Sequence, residues 1–154
     1  MNADAVTVVA GAIAPGGVGS RGPWPRRIAG ALATLFGLAT IVEGGHVLFG
    51  GPAARAAAGH VVGFVLIFNF AAGFGYVATG VGAALGRGWA TRAARGLAVA
   101  TLLVFAGLGV HVAGGGAYEP RTVVAMTLRA GFWVVQAWLL GRWLGPDRRA
   151  ARSR

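Results

Sequence analysis

Four long apolar stretches, separated by short polar connections, constrain this chain more than any other feature. They cover about residues 28–49, 60–85, 97–112 and 122–144. Each is close to the roughly 20 residues that a helix needs to cross about 30 Å of hydrocarbon. Because backbone groups cannot hydrogen-bond to lipid, such stretches are predicted to be helices. The sequence therefore predicts an all-α integral membrane four-helix bundle.

The composition favours the same class. Hydrophobic residues make up 56% of the 154 residues and charged residues only 12%, whereas a soluble domain carries about 25% charged residues. Many of the 28 glycines lie inside the apolar stretches, where small residues allow membrane helices to approach closely and could support a homodimer or a membrane-complex partner. There is no cysteine, which excludes disulfides, thiolate ligands, iron–sulfur clusters and covalent haem attachment.

The arginines predict the direction of the bundle. The formal net charge is +10 and the chain has no lysine. Only Arg55 and Arg121 fall on one side of the predicted bundle, and Arg129 lies within the fourth stretch. The other side receives eleven arginines: Arg21, Arg26, Arg27, Arg87, Arg92, Arg95, Arg142, Arg148, Arg149, Arg152 and Arg154. Because cytoplasmic loops are rich in basic residues, both termini are predicted to be cytoplasmic.

The two ends of the chain are predicted to be tails. Residues 1–27 are expected to form a disordered cytoplasmic segment, and residues 145–154 a basic cytoplasmic tail. The arginines of this second tail suit anionic lipid headgroups. Since the basic residues flank apolar spans instead of forming a stripe on a soluble face, no nucleic-acid partner is expected. Arginine-only, Ala- and Gly-rich usage is typical of a high-GC bacterial genome, so the bacterial inner membrane is the predicted location.

Most of the acidic and imidazole side chains fall near the ends of the spans that should face the periplasm. Glu43 and His46 lie three residues apart near the end of the first span, so they share a helix face. His60, His111 and Glu119 lie at the same side of the other spans. Imidazole and carboxylate ligands without sulfur suit Zn, Cu or Fe. These five residues are therefore a candidate metal site.

Three alternatives remain open for this cluster. Arg129 lies about as deep in the fourth span as Glu43 does in the first, so a structural Glu43–Arg129 ion pair would neutralise both charges within the membrane. Alternatively, two of the histidines could ligate haem b between neighbouring helices. Histidines near span ends could also serve only in hydrogen bonds to loops and water.

A second polar stripe runs along the second span. Asn69, Gly73, Tyr76 and Gly80 are spaced so that they share one helix face. A functional interpretation is a cofactor slot, for a quinone or another small molecule, lined by Asn69 and Tyr76. The structural interpretation, which we favour, is a seam between helices in which Asn69 hydrogen-bonds and the glycines allow close contact.

The plan of the chain resembles that of known membrane proteins. The segment RRIAGALATLFGLATIVEGGHVLFG, with its basic start, small residues and Gly-rich exit, is similar to the first span of small DoxX-like bacterial inner-membrane proteins. The resemblance covers the first span and the four-span topology. The strings FNFAAGFGYVATG and GVHVAGGGAYEPRTVVAMTLR look like those of uncharacterised bacterial membrane proteins. No activity is implied by either resemblance.

The functional prediction is correspondingly coarse. The sequence contains no phosphate-binding loop, paired catalytic carboxylates or nucleophile–base arrangement. A non-enzymatic accessory or structural membrane protein, with a periplasmic Glu/His cluster able to bind a metal, is the leading hypothesis. A membrane redox protein that carries haem b or handles quinone is the alternative. A small oligomeric transporter is the third hypothesis.

Overall fold

Helices account for almost all of the part of the chain that the structure describes. The computed structural model describes residues 23–144, so residues 1–22 of the predicted tail 1–27, and the whole of the predicted tail 145–154, lie outside the described residues. In chain order the helices are α1 (Trp24–Phe49), α2 (Gly51–Ala58), α3 (Gly63–Ala84), α4 (Trp89–Ala113) and α5 (Pro120–Leu144). All except α2 are long and apolar enough to cross a membrane, as in a multi-pass membrane protein.

The four long helices form an up-and-down bundle. α1 packs mainly on α3, α3 on α4, and α4 on α5, whereas α1 and α5 meet at only a few places. The bundle therefore has two ends. The α2 end carries α2 together with the α2–α3 and α4–α5 connections, and the terminal end carries the start of α1, the α3–α4 connection and the end of α5.

The helix boundaries differ from the predicted spans by three residues or more in three places. α1 begins at Trp24 instead of residue 28, and α4 begins at Trp89 instead of residue 97. In both cases arginines and tryptophan extend the helix beyond its apolar part, since periodic hydropathy marks the lipid-crossing segment and not the whole helix. α3 begins at Gly63 instead of His60, because residues 59–62 form the turn that connects it to α2.

The short helix α2 was not predicted. Its sequence is GPAARAAA, in which alanine has the highest helix propensity and proline is suited to the first turn. Gly59 ends it with a φ of 72°, a conformation that costs glycine little. A Cβ added at Gly59 would also collide with the carboxylate of Glu119. The positive φ is the main reason for glycine in the turn after α2, since the Glu119 carboxylate ends a flexible side chain.

Glycines bring α1 and α3 into close contact. A Cβ added at Gly37 would lie 2.8 Å from Val77 N and 2.9 Å from Gly73 O. One added at Gly30 would lie 2.5 Å from Gly80 O. These distances are too short for any side chain, so the two backbones approach each other directly. Such contact is how small residues join membrane helices, where lipid provides no hydrophobic force between them.

The middle of the bundle is filled by aromatic residues. Tyr76 and Trp133 are fully buried, with ring centroids 4.6 Å apart. Phe36 lies 5.9 Å from Tyr76 and 4.6 Å from Phe132, also between centroids. Towards the terminal end the core continues in small residues, chiefly Ala83, Ala90 and Ala94. Large apolar side chains point outwards instead, for example Leu35, Leu103 and Val110, as expected for surfaces that face lipid.

Candidate ligand cavity

The α2 end of the bundle contains a cavity of about 500 Å³. Its walls come from α1, α2, the first turns of α3 and the first half of α5, at the place where α1 and α5 are separated. The volume lies within the range of about 300–1,000 Å³ that is usual for small-molecule sites. The lining residues are Thr40, Glu43, Gly44, His46, Val47, Ala54, Ala57, Ala58, Val61, Val62, Val65, Leu66, Asn69, Arg121, Thr122, Ala125 and Arg129.

Arg129 forms part of the cavity wall far from the start of its helix. It lies nine residues after Pro120, which corresponds to about 13 Å along α5. It is only 8% exposed. Its Nη2 donates a hydrogen bond of 3.3 Å to Thr40 Oγ1, and its guanidinium carbon lies 5.7 Å from the centre of the Phe36 ring. Its Nε is buried and has no partner among the described residues.

Such an arginine is costly in a membrane. Placing a charged side chain at the centre of a spanning helix costs about 2.5–3.5 kcal/mol on insertion scales. A neutral threonine hydroxyl and an aromatic ring offset only part of this cost, because a guanidinium is best satisfied by carboxylate or phosphate oxygens. Arg129 therefore faces the cavity with most of its capacity for binding an anion unused.

Asn69 lies on α3 in the same cavity wall. Its Nδ2 donates a weak hydrogen bond of 3.5 Å to Met126 Sδ. Its Oδ1 is buried, and the described part of the chain offers it no donor. The unpaired Oδ1 is an acceptor in the same cavity wall as Arg129. Buried polar atoms are normally paired, and this asparagine departs from that rule at the cavity.

Glu43 and His46 also line the cavity, from α1. Both side chains are exposed, and they lie one helical turn apart as predicted. Glu43 and Arg129 face the same space, but the only ion pair within 4.0 Å in the described range, residues 23–144, joins His60 and Glu119. Arg129 donates its hydrogen bond to Thr40 instead. The Glu43–Arg129 ion pair stays a prediction.

Glu119, which ends the α4–α5 connection, and Arg121, in the first turn of α5, hold the turn after α2 in place. Glu119 Oε1 accepts a hydrogen bond of 2.9 Å from the backbone N–H of His60, and it lies 3.4 Å from His60 Nδ1. Arg121 Nη2 donates to the carbonyl oxygens of Ala57, at 2.9 Å, and Ala58. Arg121 thus provides partners for the last carbonyls of α2, which a helix end leaves unpaired. We call these two contacts the α2 latch.

The α2 latch lowers the pKa of the Glu119 carboxyl group. The N–H of His60 holds the pKa of Glu119 below its ordinary value, with a smaller contribution from the His60 side chain and the charge of Arg121. Hydrogen bonds to the charged form of a carboxyl lower its pKa in this way. The latch is therefore formed with an ionised Glu119 at neutral pH.

The structure does not gather the five predicted metal ligands. Within residues 23–144, no three His, Cys, Asp or Glu side chains come close enough together to hold a metal ion. Glu43 and His46 line the cavity, while His60 and Glu119 form part of the latch. His111 is hydrogen-bonded by Nε2 to Ala117 O at 3.1 Å, within the turn after its own helix. The predicted cluster is thus distributed over three separate places at one end of the bundle.

Asn69 and Tyr76 also have different surroundings. Asn69 lines the cavity, whereas the Tyr76 ring lies in the aromatic core and its hydroxyl is 3.3 Å from Thr101 Oγ1. The predicted glycine seam is present on the same face of α3, since Gly73 and Gly80 contact α1. Tyr76 therefore belongs to the packing of the bundle, and Asn69 belongs to the cavity.

Sequence reasoning missed three contributors to the cavity. Thr40 was overlooked because a threonine in an apolar span is usually bonded to its own helix, and it does donate to Phe36 O. The alanines of α2 were missed because a methyl side chain has no functional group that would indicate a binding site. The sequence showed Arg121 only as one of two arginines on its side of the bundle, because no local pattern indicates that it reaches the end of α2. No family model matches the sequence, and neither the curated proteins nor the solved structures include a significant match to it.

Proposed function

We propose that this protein is a non-enzymatic, multi-pass protein of the bacterial inner membrane that holds a small ligand in its periplasm-facing cavity. This proposal rests on the cavity of about 500 Å³. Its walls are mainly apolar, and Arg129 and Asn69 in these walls each have a buried polar atom without a hydrogen-bond partner among the described residues. A mostly apolar pocket with a few convergent polar groups is the usual form of a small-molecule site. An accessory role, in which the ligand or a partner is presented at the membrane surface, agrees with the position of the cavity at one end of the bundle.

The proposed direction places the cavity on the periplasmic side. Arg55 and Arg121 are at the α2 end, whereas the described arginines of the terminal end include Arg26, Arg92 and Arg142. This asymmetry favours a cytoplasmic terminal end. Because the chain has no cysteine, single-cysteine variants at Arg55 and at Arg92 can be labelled without background. In spheroplasts, an impermeant maleimide should label only Arg55→Cys; labelling of Arg92→Cys alone would invert the proposed direction.

Ligand binding can be tested by identifying the small molecules that co-purify with the protein. Protein reconstituted in nanodiscs would be extracted, and the small molecules identified by mass spectrometry. Ala125 lines the cavity, whereas its neighbour Val124 is 59% exposed on the outer surface of α5. Ala125→Phe should lose the bound molecule because the ring fills the cavity, and Val124→Phe should retain it. Equal retention in both variants, or no bound molecule in the wild type, would contradict the proposal.

A transition metal is a second candidate for the same cavity, because Glu43 and His46 lie one turn apart in its wall. Elemental analysis and an absorbance spectrum of the purified protein would test it. Stoichiometric Zn, Cu or Fe that is lost in a Glu43→Gln, His46→Ala variant would support a metal at this position. His111→Ala is the matched control, since His111 bonds within its own turn. A Soret band would identify haem instead.

A further inference from the structure

The ligand chemistry follows from the one cation buried in the cavity wall. Arg129 is more than nine-tenths buried, lines the cavity, and has a buried Nε without a partner within residues 23–144. Its one hydrogen bond is to the neutral hydroxyl of Thr40. Guanidinium groups pair in a bidentate manner with carboxylate and phosphate. The group that would complete this site is therefore an anion.

The other residues that line the cavity indicate the chemistry of the rest of the ligand. Its walls are mainly aliphatic, with Val47, Val62, Val65 and Leu66 among the lining residues. Inorganic anions would leave these side chains against water, whereas an alkyl or ring system would cover them. The volume of about 500 Å³ has room for a small organic molecule but not for a complete two-chain lipid.

The charges around the cavity favour the same conclusion. Arg129 and Arg121 contribute two positive charges to the lining, against one negative charge from Glu43. Arg121 is already engaged with the carbonyls of α2, and Glu43 is exposed. The buried charge that remains in the wall is positive, and a bound anion would reduce the cost of keeping it in the membrane.

We infer that the cavity binds an amphipathic organic anion, whose carboxylate or phosphate group is held by the Arg129 guanidinium and whose apolar part lies against the aliphatic walls. This inference rests on the proposed ligand-binding function and specifies its ligand class. Asn69 Nδ2 lies in the same wall and has a second N–H, which can contribute a further donor. The anion could belong to a free single-chain amphiphile or to the headgroup of a membrane phospholipid.

The experiment uses the full chain in nanodiscs of zwitterionic phosphatidylcholine and three probes of equal chain length. Dodecanoate, dodecanol and dodecyltrimethylammonium differ only in their head group, and binding is counted by native mass spectrometry at pH 8. The wild type should bind one dodecanoate at least tenfold more tightly than either of the other probes. Equal binding of dodecanol and dodecanoate, both lost in Ala125→Phe, would overturn the inference while leaving the proposed function in place. No binding of any probe would contradict both.

Variants of the charged residues complete the test. Arg129→Gln should weaken dodecanoate binding at least tenfold, and Arg129→Lys, which keeps the charge, should retain part of it if the glutamine variant fails to fold. Arg55→Gln is the matched control, because Arg55 is exposed on α2 and bonds only to Leu48 O. Glu43→Gln should tighten binding severalfold by removing a like charge. Unchanged binding in both Arg129 variants would overturn the inference.

A further arm distinguishes the two sources of the anion. Replacing part of the phosphatidylcholine by phosphatidylglycerol offers a phosphate headgroup in the bilayer itself. Loss of bound dodecanoate in these nanodiscs, with retention of one phosphatidylglycerol in the wild type but not in Arg129→Gln, would support a phospholipid headgroup as the occupant. Unchanged dodecanoate binding would support a free single-chain amphiphile. Phosphatidylglycerol retained equally by both proteins would argue against any role of Arg129 as the anchor for this lipid.

Discussion

The terminal half and the α2 half of the bundle contain the same kinds of residue but pack in different ways. Near the terminal end, Gly30 and Gly37 of α1 meet the backbone of α3 directly. Near the α2 end, the next glycine of the series, Gly44, instead meets the side chain of Phe70, with its added Cβ 3.1 Å from Phe70 Cβ. The contact thus changes from backbone against backbone to backbone against side chain.

The same difference separates α1 from α5. In the terminal half, Gln136 Nε2 donates a hydrogen bond of 2.8 Å to Ala29 O and joins the two helices directly. In the α2 half, the cavity lies between them, and Arg129 reaches α1 by its hydrogen bond to Thr40 and its contact with the Phe36 ring. The wider spacing in this half creates a polar-lined cavity, whereas the terminal half joins the same two helices directly. In a single bundle, the residues that hold the helices together can therefore be separate from the residues that line a ligand cavity.

The largest expected effect comes from closing the glycine contact. Gly37→Val would place a branched side chain against the backbone atoms of Gly73 and Val77, which cannot move aside as a side chain can. We expect a loss of about 3 kcal/mol or more, or failure to fold, by unfolding in detergent mixtures. Gly131→Val is the control, since a Cβ there meets nothing within 4 Å. Similar stability of the two variants would contradict the close-packed half.

The second prediction compares one alanine from each half. Ala94 is fully buried in the terminal half, whereas Ala125 lines the cavity. Ala94→Phe should destabilise the bundle by about 1–3 kcal/mol because the core has no room for the ring. Ala125→Phe should cost clearly less, since the ring enters open space. The same unfolding assay measures both, and an equal loss would show that the α2 half is as tightly packed as the other.

A third, smaller effect concerns the charges of the cavity. Glu43→Gln, Arg129→Leu and the double variant form a cycle that measures their coupling. If the residues form the ion pair suggested by the sequence, the coupling should exceed about 1 kcal/mol. The arrangement with Arg129 bonded to Thr40 instead predicts a value below about 0.5 kcal/mol, the limit for independent sites. Thermal unfolding of all four proteins would distinguish the two.

The smallest effect is the pH dependence of the α2 latch. The folded-state pKa of Glu119 is lowered, so its contribution is present above the unfolded-state pKa and is lost as the pH falls through the lower folded-state value. A spin label on Ala53→Cys in α2 should therefore become more mobile only below about pH 4, the ordinary carboxyl range. Glu119→Ala should be mobile at all pH values, while Glu43→Ala should behave as the wild type. A pH-independent wild-type label would refute the latch.

The sequence was a good guide to the elements and a poor guide to their contacts. The hydropathy of the four spans and the Gly/Ala content of α1 and α3 act locally, so the helices and the glycine seam could be predicted. The Glu43–His46 spacing likewise correctly put both side chains on one face, and both line the cavity. By contrast, His60 and His111 are held by partners in the connecting turns, and turn geometry depends on contacts that no periodicity describes.

What the sequence alone determined is the set of long apolar helices, because crossing a membrane imposes a length, a composition and internal hydrogen bonding on each segment by itself. The tertiary structure decided which polar groups meet. It brought together Arg129 and Thr40, which are 89 residues apart in sequence, and it left Arg129 and Asn69 in one cavity wall with unpaired atoms. The physical reason is that the width of the gap between α1 and α5 depends on how α1 packs on α3, α3 on α4 and α4 on α5, and no single segment encodes it.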